Sequence, residues 1–244
     1  MLQLKHISLT APEDGKKVIL HDIDLTVGDN KFVVVTGPNG GGKSTLAKVI
    51  AGIMTPESGQ VLLDGTDITG HNITQRANEG ITFAFQQPVR FKGITVRDLI
   101  ITAAGRQLDE PEICGYLHQV GLCPRDYIDR EVNQSLSGGE IKRIEIVMAM
   151  ARKTKLTIFD EPEAGIDLWS FTNLIDVFKQ LRQQVSGSIL IISHQERILE
   201  IADEIVVLAD GHITAHGPRE EILPALLDTE GGSCAYCPRT GREA

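Results

Sequence analysis

The run Gly37-Pro-Asn-Gly-Gly-Gly-Lys-Ser sets four glycines, a lysine and a hydroxyl at the spacing G-x-x-x-x-G-K-[ST]. Gly37, Gly40, Gly41 and Gly42, with Asn39 between them, let the backbone curl so that several N–H groups converge on phosphate oxygens, where a Cβ would intrude. Lys43 adds a full positive charge for the β- and γ-phosphates. Ser44 and Thr45 follow it, and the Ser44 hydroxyl is a hard oxygen suited to Mg²⁺. A helix beginning near Lys43 contributes its positive end, worth ~0.3–1 kcal/mol toward an anion. These residues predict a nucleoside triphosphate site.

Three further groups fit the same chemistry. Leu156-Thr-Ile-Phe is an apolar strand ending in Asp160 and Glu161. After a phosphate-binding loop, Asp160 is placed to hold Mg²⁺ through water and Glu161 to act as general base on an attacking water. His194 stands at the carboxyl end of the strand Ser188–Ser193, where open parallel sheets place ligand contacts, and is read as a γ-phosphate contact. Ser137 can cap a helix whose apolar positions Ile141, Ile144, Met148 and Ala151 share one face. Gly138 and Gly139 leave its first N–H groups open to an anion.

The elements needed to position these residues are visible in the hydropathy pattern. Phe32-Val-Val-Val is a β-branched run that reads as a buried parallel strand feeding the glycine loop, and Leu46, Val49 and Ile50 begin the helix after it. Period-2 alternation from Leu2 to Leu9 and from Val18 to Val27 predicts antiparallel strands. Gln60–Ile68 reads as a small hairpin turning at Asp64-Gly65, and Ile81–Phe85 as a further strand, closed by Gln86-Gln87-Pro88. From Val96 to about Ala151 the pattern is helical. Beyond it follow a helix at Leu168–Gln184, the strand Ser188–Ser193, a helix at Gln195–Ala202 and a hairpin around Asp210-Gly211. The expected fold is α/β. Its divisions are residues 1–225, with a helical lobe at about 88–152, and a polar tail at 226–244.

Composition narrows the function classes. The 244 residues are 41% hydrophobic and 23% charged, as in an ordinary globular protein. A formal net charge of −9 argues against a surface built for nucleic acid. No apolar run reaches the ~18 residues of a membrane span, the amino terminus shows no signal peptide, and four cysteines suggest no disulfide framework. The expectation is a cytoplasmic protein. Cys234-Ala-Tyr-Cys237 supplies two thiols, half of a tetrahedral metal shell, and Cys114 and Cys123 read as ordinary thiols.

Taken together these stretches resemble the ATP-binding-cassette (ABC) ATPases. Gly37–Thr45 looks like their Walker A, Leu136–Glu140 their signature, and Leu156–Glu161 their Walker B with its catalytic glutamate. Gln86 is similar to the Q-loop glutamine, Ala164–Asp167 to the D-loop and His194 to the switch histidine, all in family order. The resemblance implies a RecA-like P-loop core with an antiparallel β-subdomain and an inserted α-helical lobe. It further implies ATP and Mg²⁺ as ligands, Mg²⁺ being held by Ser44, Gln86 and Asp160. Catalysis falls to Glu161, His194 and Gln86. Two subunits close head to tail, so that Ser137, Gly138, Gly139, Glu140 and Asp167 of one face the nucleotide of the other. One departure is that Pro12–Val18 holds no aromatic residue where such proteins usually stack adenine.

Within the superfamily, Ala84-Phe-Gln-Gln-Pro, Ser137-Gly-Gly-Glu-Ile-Lys-Arg-Ile-Glu-Ile and Ser193-His-Gln-Glu-Arg-Ile-Leu resemble the SufC family, the ATPase of Suf iron–sulfur cluster assembly. That likeness implies a soluble scaffold partner of the SufB/SufD type, bound through the lobe around Gln86 to Arg97. Asp160-Glu-Pro162 and Ile94-Thr-Val-Arg-Asp-Leu-Ile resemble transporter cassettes instead, which implies the nucleotide-binding subunit of a membrane ABC transporter as the alternative. An ABC ATPase acting on DNA would need a coiled-coil insertion and a basic surface, and neither is present.

Overall fold

The computed structural model describes residues 1–11, 17–86, 92–133, 135–184 and 186–227, of which 168–170 are described by backbone alone. Alternating apolar residues make β1 (Leu2–Thr10) and β2 (Val18–Val27) an antiparallel pair with one buried face. β3 (Phe32–Thr36) follows, buried along its whole length, and the glycine loop carries it into α1 (Lys43–Ile50). β4 (Ser58–Leu63) and β5 (Thr66–Asp67) pair around the expected Asp64-Gly65 turn. Then come α2 (Ile73–Asn78), β6 (Ile81–Ala84), α3 (Val96–Ala104), α4 (Glu110–Gln119), α5 (Pro124–Tyr127) and α6 (Gly138–Arg152). The chain closes with β7 (Leu156–Asp160), α7 (Leu168–Gln184), β8 (Ser188–Ile192), α8 (Glu196–Leu199), β9 (Glu204–Ala209), β10 (His212–Pro218) and α9 (Arg219–Leu227).

Two sheets result. One has the order β2-β1-β4-β5 and is antiparallel; the other has the order β10-β9-β3-β8-β7-β6 and is parallel except at its β10 edge. β3 lies inside the larger sheet and divides the core. Val33 and Val35 face α1 and the antiparallel sheet, whereas Phe32 and Val34 face the cluster built with α3, α6 and α7. Burial on both faces explains why β3, β7 and β8 read as continuous apolar runs. The carboxyl ends of β3, β7 and β8 carry the glycine loop, Asp160-Glu161 and His194 respectively, so the strand ends define the site.

The helical elements differ in places from the expected ones. α2 and α9 are additions, and α9 runs to Leu227, two residues into the stretch read as tail. α8 spans only Glu196–Leu199, half of the expected Gln195–Ala202 helix. α6 is not a one-faced surface helix: Ile141, Ile144, Ile146, Val147, Ala149, Met150 and Ala151 are buried, whereas Met148 is half-buried. Cys114 and Cys123 carry free thiols, and Cys234 and Cys237 lie outside the described residues.

α1 ends against an unexpected partner. Arg76 is 1% exposed, and its guanidinium donates to the carbonyls of Val49 (2.6 Å), Ile50 (2.8 Å), Thr69 (3.0 Å) and His71 (3.1 Å). A cation at a helix carboxyl end complements the dipole and satisfies carbonyls that have no partner in the helix. Arg76 thereby anchors the far end of the helix that the glycine loop opens.

Candidate active site

A cleft of about 540 Å³ lies over the glycine loop, lined there by Asn39, Gly40, Gly42, Lys43, Ser44 and Thr45, with Glu161 at its side. Two glycines are required for definite reasons. Gly37 has φ 134°, and a Cβ on it would sit 2.1 Å from the Leu208 carbonyl oxygen of β9. The constraint there is close packing against β9, rather than room for a phosphate. Gly42 has φ 99° and caps α1 without a side-chain bond, and the first residues of the helix, Lys43 to Thr45, line the cleft beside it. Lys43 is 6% exposed, and its Nζ donates to the carbonyls of Gly37 (2.8 Å) and Pro38 (2.9 Å). Burial pulls its pKa below the ordinary lysine value, against the nearby Glu161 and Asp160 carboxylates.

At the end of β7, Asp160 is 4% exposed and accepts a 2.9 Å bond from the Ser44 hydroxyl. Burial raises its pKa, the Ser44 bond opposes that rise, and Glu161 reinforces it. Two hard oxygens side by side at the mouth of a phosphate loop fit Mg²⁺, which would screen phosphate charge there. Glu161 follows with φ 45°, a left-handed conformation costly for a non-glycine residue. Bonds from Glu161 N to Ile192 O (3.0 Å) and from Ala164 N to Glu161 O (3.0 Å) hold that turn. The Gln86 amide donates to Glu161 Oε2 at 2.5 Å, so the end of β6 reaches the acid after β7.

The remaining candidates stand elsewhere. Ser137 caps α6 by accepting from Glu140 N (3.3 Å), and Glu140 accepts in return from Ser137 N (2.6 Å) and from the Tyr127 hydroxyl. Glu140 therefore serves the cap and the Tyr127 contact. Neither Ser137 to Glu140, nor Asp167, nor His194 lines the cleft over this chain's own glycine loop. Both Asp167 and His194 are exposed.

Glu163 was not among the expected site residues. It accepts from the Ser193 hydroxyl at 2.5 Å, and Gln195 N donates to that same hydroxyl at 3.0 Å. The link ties the turn after Glu161 to the turn carrying His194. Burial raises the Glu163 pKa, with the Ser193 bond opposing. A raised carboxyl pKa means the folded chain holds its proton where the unfolded chain has released it. Stability is therefore lost as pH rises from the ordinary glutamate value of about 4.3 through the raised one. Glu163→Gln keeps an acceptor for Ser193 and removes the charge. Its stability relative to wild type is expected to increase with pH over that window, as read by urea unfolding of the nucleotide-free proteins.

The fold and this site define a P-loop nucleotide hydrolase with a second, helical lobe. A family model described as ABC transporter matches residues 20–164. The chain is 38% identical over 228 residues to an uncharacterised ABC transporter ATP-binding protein of Methanocaldococcus jannaschii, covering 90% of each. It is 30% identical to the lipopolysaccharide export ATP-binding protein LptB of Escherichia coli, over 91% of this chain and 93% of LptB. A solved ADP conformation of an ATP-binding cassette of an ABC transporter superposes with a TM-score of 0.78 at 27% identity, over 93% and 95% of the chains. A dimeric post-hydrolysis cassette bound to ADP and Pi superposes with a TM-score of 0.77 at 22% identity, over 90% and 99%, and shares the fold. The protein belongs to the ABC ATPase family. It is an ATPase that works on ATP with Mg²⁺.

Proposed function

We propose that this ATPase is the nucleotide-binding subunit of a membrane ABC transporter, with two copies closing head to tail on two ATP·Mg²⁺. In each site Lys43 and the loop amides bind phosphate, Ser44, Asp160 and Gln86 hold Mg²⁺, and Glu161 takes the proton of the attacking water. His194 contacts the γ-phosphate, and the partner copy supplies the Ser137–Gly139 amides. The observation that carries the coupling is a groove beside Gln86, lined by Phe83, Phe85, Leu99, Ile141, Glu145 and Met148. Phe85 is 41% exposed there, and its neighbour Gln86 bonds Glu161. A partner helix seated in this groove presses on the residue next to one that touches the proposed base. The relatives named above are described as ATP-binding proteins of ABC transporters or of an export system, which favours this reading. No helix among the described residues is long and apolar enough to cross a membrane, so the membrane part would come from another chain.

A Suf-like scaffold is the second reading. The relatives cited above carry no Suf description, and three sequence stretches support it. Glu145, in the second of those stretches, stands where transporter cassettes more often carry a small or apolar residue, and it places a carboxylate in the groove, 3.0 Å from the 3%-exposed Lys142, whose Nζ also donates to the Phe85 carbonyl at 2.5 Å. Affinity isolation from native cells, with detergent-solubilised membranes included, separates the two. Recovery with a polytopic membrane protein that stimulates ATP hydrolysis is expected. Recovery only with a soluble scaffold would replace the transporter reading and leave the ATPase chemistry intact.

A further inference from the structure

Two turns meet at the carboxyl ends of β7 and β8, one opened by Glu161 and the other holding His194. A backbone bond from Glu161 N to Ile192 O (3.0 Å) starts the contact, and the Glu163 side chain extends it. Within its own turn Glu163 is a corner. Ala164 N donates to Glu161 O at 3.0 Å, and Ile166 N donates to Glu163 O at 3.2 Å. The backbone of Glu163 is thus fixed by the same turn that places Glu161.

Across from it, Ser193 is 0% exposed, whereas the next residue, His194, is exposed. A serine hydroxyl has one proton to donate. Here it goes to Glu163 Oε1 at 2.5 Å, which leaves the oxygen lone pairs for Gln195 N, 3.0 Å away. On the near side of the histidine, Ser193 N donates to Val35 O of β3 at 3.1 Å. On the far side, Gln195 O accepts the opening bonds of α8, from Ile198 N (3.0 Å) and Leu199 N (3.1 Å). Both neighbours of His194 are therefore pinned, and the hydroxyl that joins them is oriented by Glu163. With His194 exposed, the direction of its imidazole depends on that turn. Burial raises the Glu163 pKa, and the Ser193 bond and His194 oppose the rise, so the histidine lies within electrostatic reach of the carboxyl.

We infer that Glu163 is a positioning residue for hydrolysis: through Ser193 it sets the turn that carries His194 relative to the turn that carries Glu161. This role rests on the γ-phosphate contact proposed above for His194. Misplacing a group by about 1 Å can cost ~10²-fold in rate, so a bond away from the phosphates suffices. Lys43, Ser44 and Asp160 share none of these bonds, and nucleotide binding is left to them.

A double-mutant cycle on kcat tests the assignment. Glu163→Ala is expected to lower kcat by at least about five-fold, with the ATP KM held within about three-fold. His194→Ala should cost about 10²-fold, the order of one lost transition-state donor. In the His194→Ala background, Glu163→Ala should change kcat by no more than about two-fold, because the residue it positions is gone. Glu163→Gln keeps an oxygen for the Ser193 hydroxyl and should recover most of the loss. A merely structural glutamate would cost the same with or without His194.

A smaller cost of Glu163→Ala in the wild-type background overturns the inference and leaves the role of His194 intact. So does a larger effect in the His194→Ala background, or a Glu163→Gln protein as slow as Glu163→Ala. A wild-type rate in His194→Ala alone would instead remove the γ-phosphate contact, and the inference with it. Should Glu163→Ala fail to fold, Ser193→Ala, which deletes a single oxygen, replaces it in the same cycle with the same expected pattern.

Discussion

Glu161→Gln is expected to lower ATP hydrolysis by about 10²–10⁴-fold, the usual contribution of a positioned general base, while ATP binding survives. The two halves of that expectation have separate structural causes. Glutamine keeps the size and an oxygen that can accept from Gln86, so the 2.5 Å contact and the turn around it persist. The left-handed turn at residue 161 is held by the backbone bonds to Ile192 and Ala164, which the substitution does not touch. Lys43, Ser44 and Asp160 are likewise unaltered. What disappears is the Glu161 carboxylate beside the glycine loop, which is free of the Ser44 bond that engages Asp160. Single-turnover hydrolysis measured beside nucleotide retention on a filter reports both halves. Turnover near the wild-type rate would remove Glu161 from the role of base.

The positions of the candidate site residues at loop and strand ends were legible because local sequence carries their context. A β-branched run, a glycine loop and a helix start are neighbours in the chain, and so are the apolar run of β7 and the acids that end it. The Ser137 cap is equally local, whereas the returning bond to Glu140, read as a nucleotide contact, came only with the structure. Arg76 was not legible. It sits in the polar stretch Thr74-Gln-Arg-Ala-Asn, where nothing local marks a buried charge, and the fold brings the carbonyls of α1 over it. Glu163 follows a turn proline among other acids, and its hydrogen-bond partner Ser193 lies thirty residues away in sequence. The Lys142–Glu145 pair looks like ordinary helix-surface charge, yet α6 is covered on that side by the end of β6. In each case the missing information was which long-range surface would cover a charge, and hydropathy periodicity does not carry it. The reason for Gly37 was misjudged in the same way, since the atom that excludes a Cβ belongs to β9.

Mixing two inactive variants should restore activity if the site is shared between copies. Ser137 and its glycines do not line the cleft over their own glycine loop. The first amides of α6 stand at an exposed Ser137 and a half-buried Gly138, with Gly139 buried, and a Cβ on Gly138 would lie 3.1 Å from the Gly165 carbonyl oxygen of the turn after Glu161. An anion reaching those amides therefore arrives from outside the chain. Lys43→Ala destroys the phosphate half of a site, and Ser137→Arg obstructs the half offered to a partner; each homodimer then has two defective sites. In a mixed two-fold dimer one site collects both defects, and the other combines an intact glycine loop with an intact signature. Random pairing of equal amounts makes half the dimers mixed, so up to about one quarter of wild-type hydrolysis is expected to return. Each subunit carries −9, so pairing is favoured at salt high enough to shorten the screening length to about 8–10 Å. ATPase assays of the separate and mixed proteins at 0.1–0.15 M salt, on the order of physiological ionic strength, make the measurement. A mixture no more active than its parents would contradict the shared site and return Ser137 to the role of a helix cap alone.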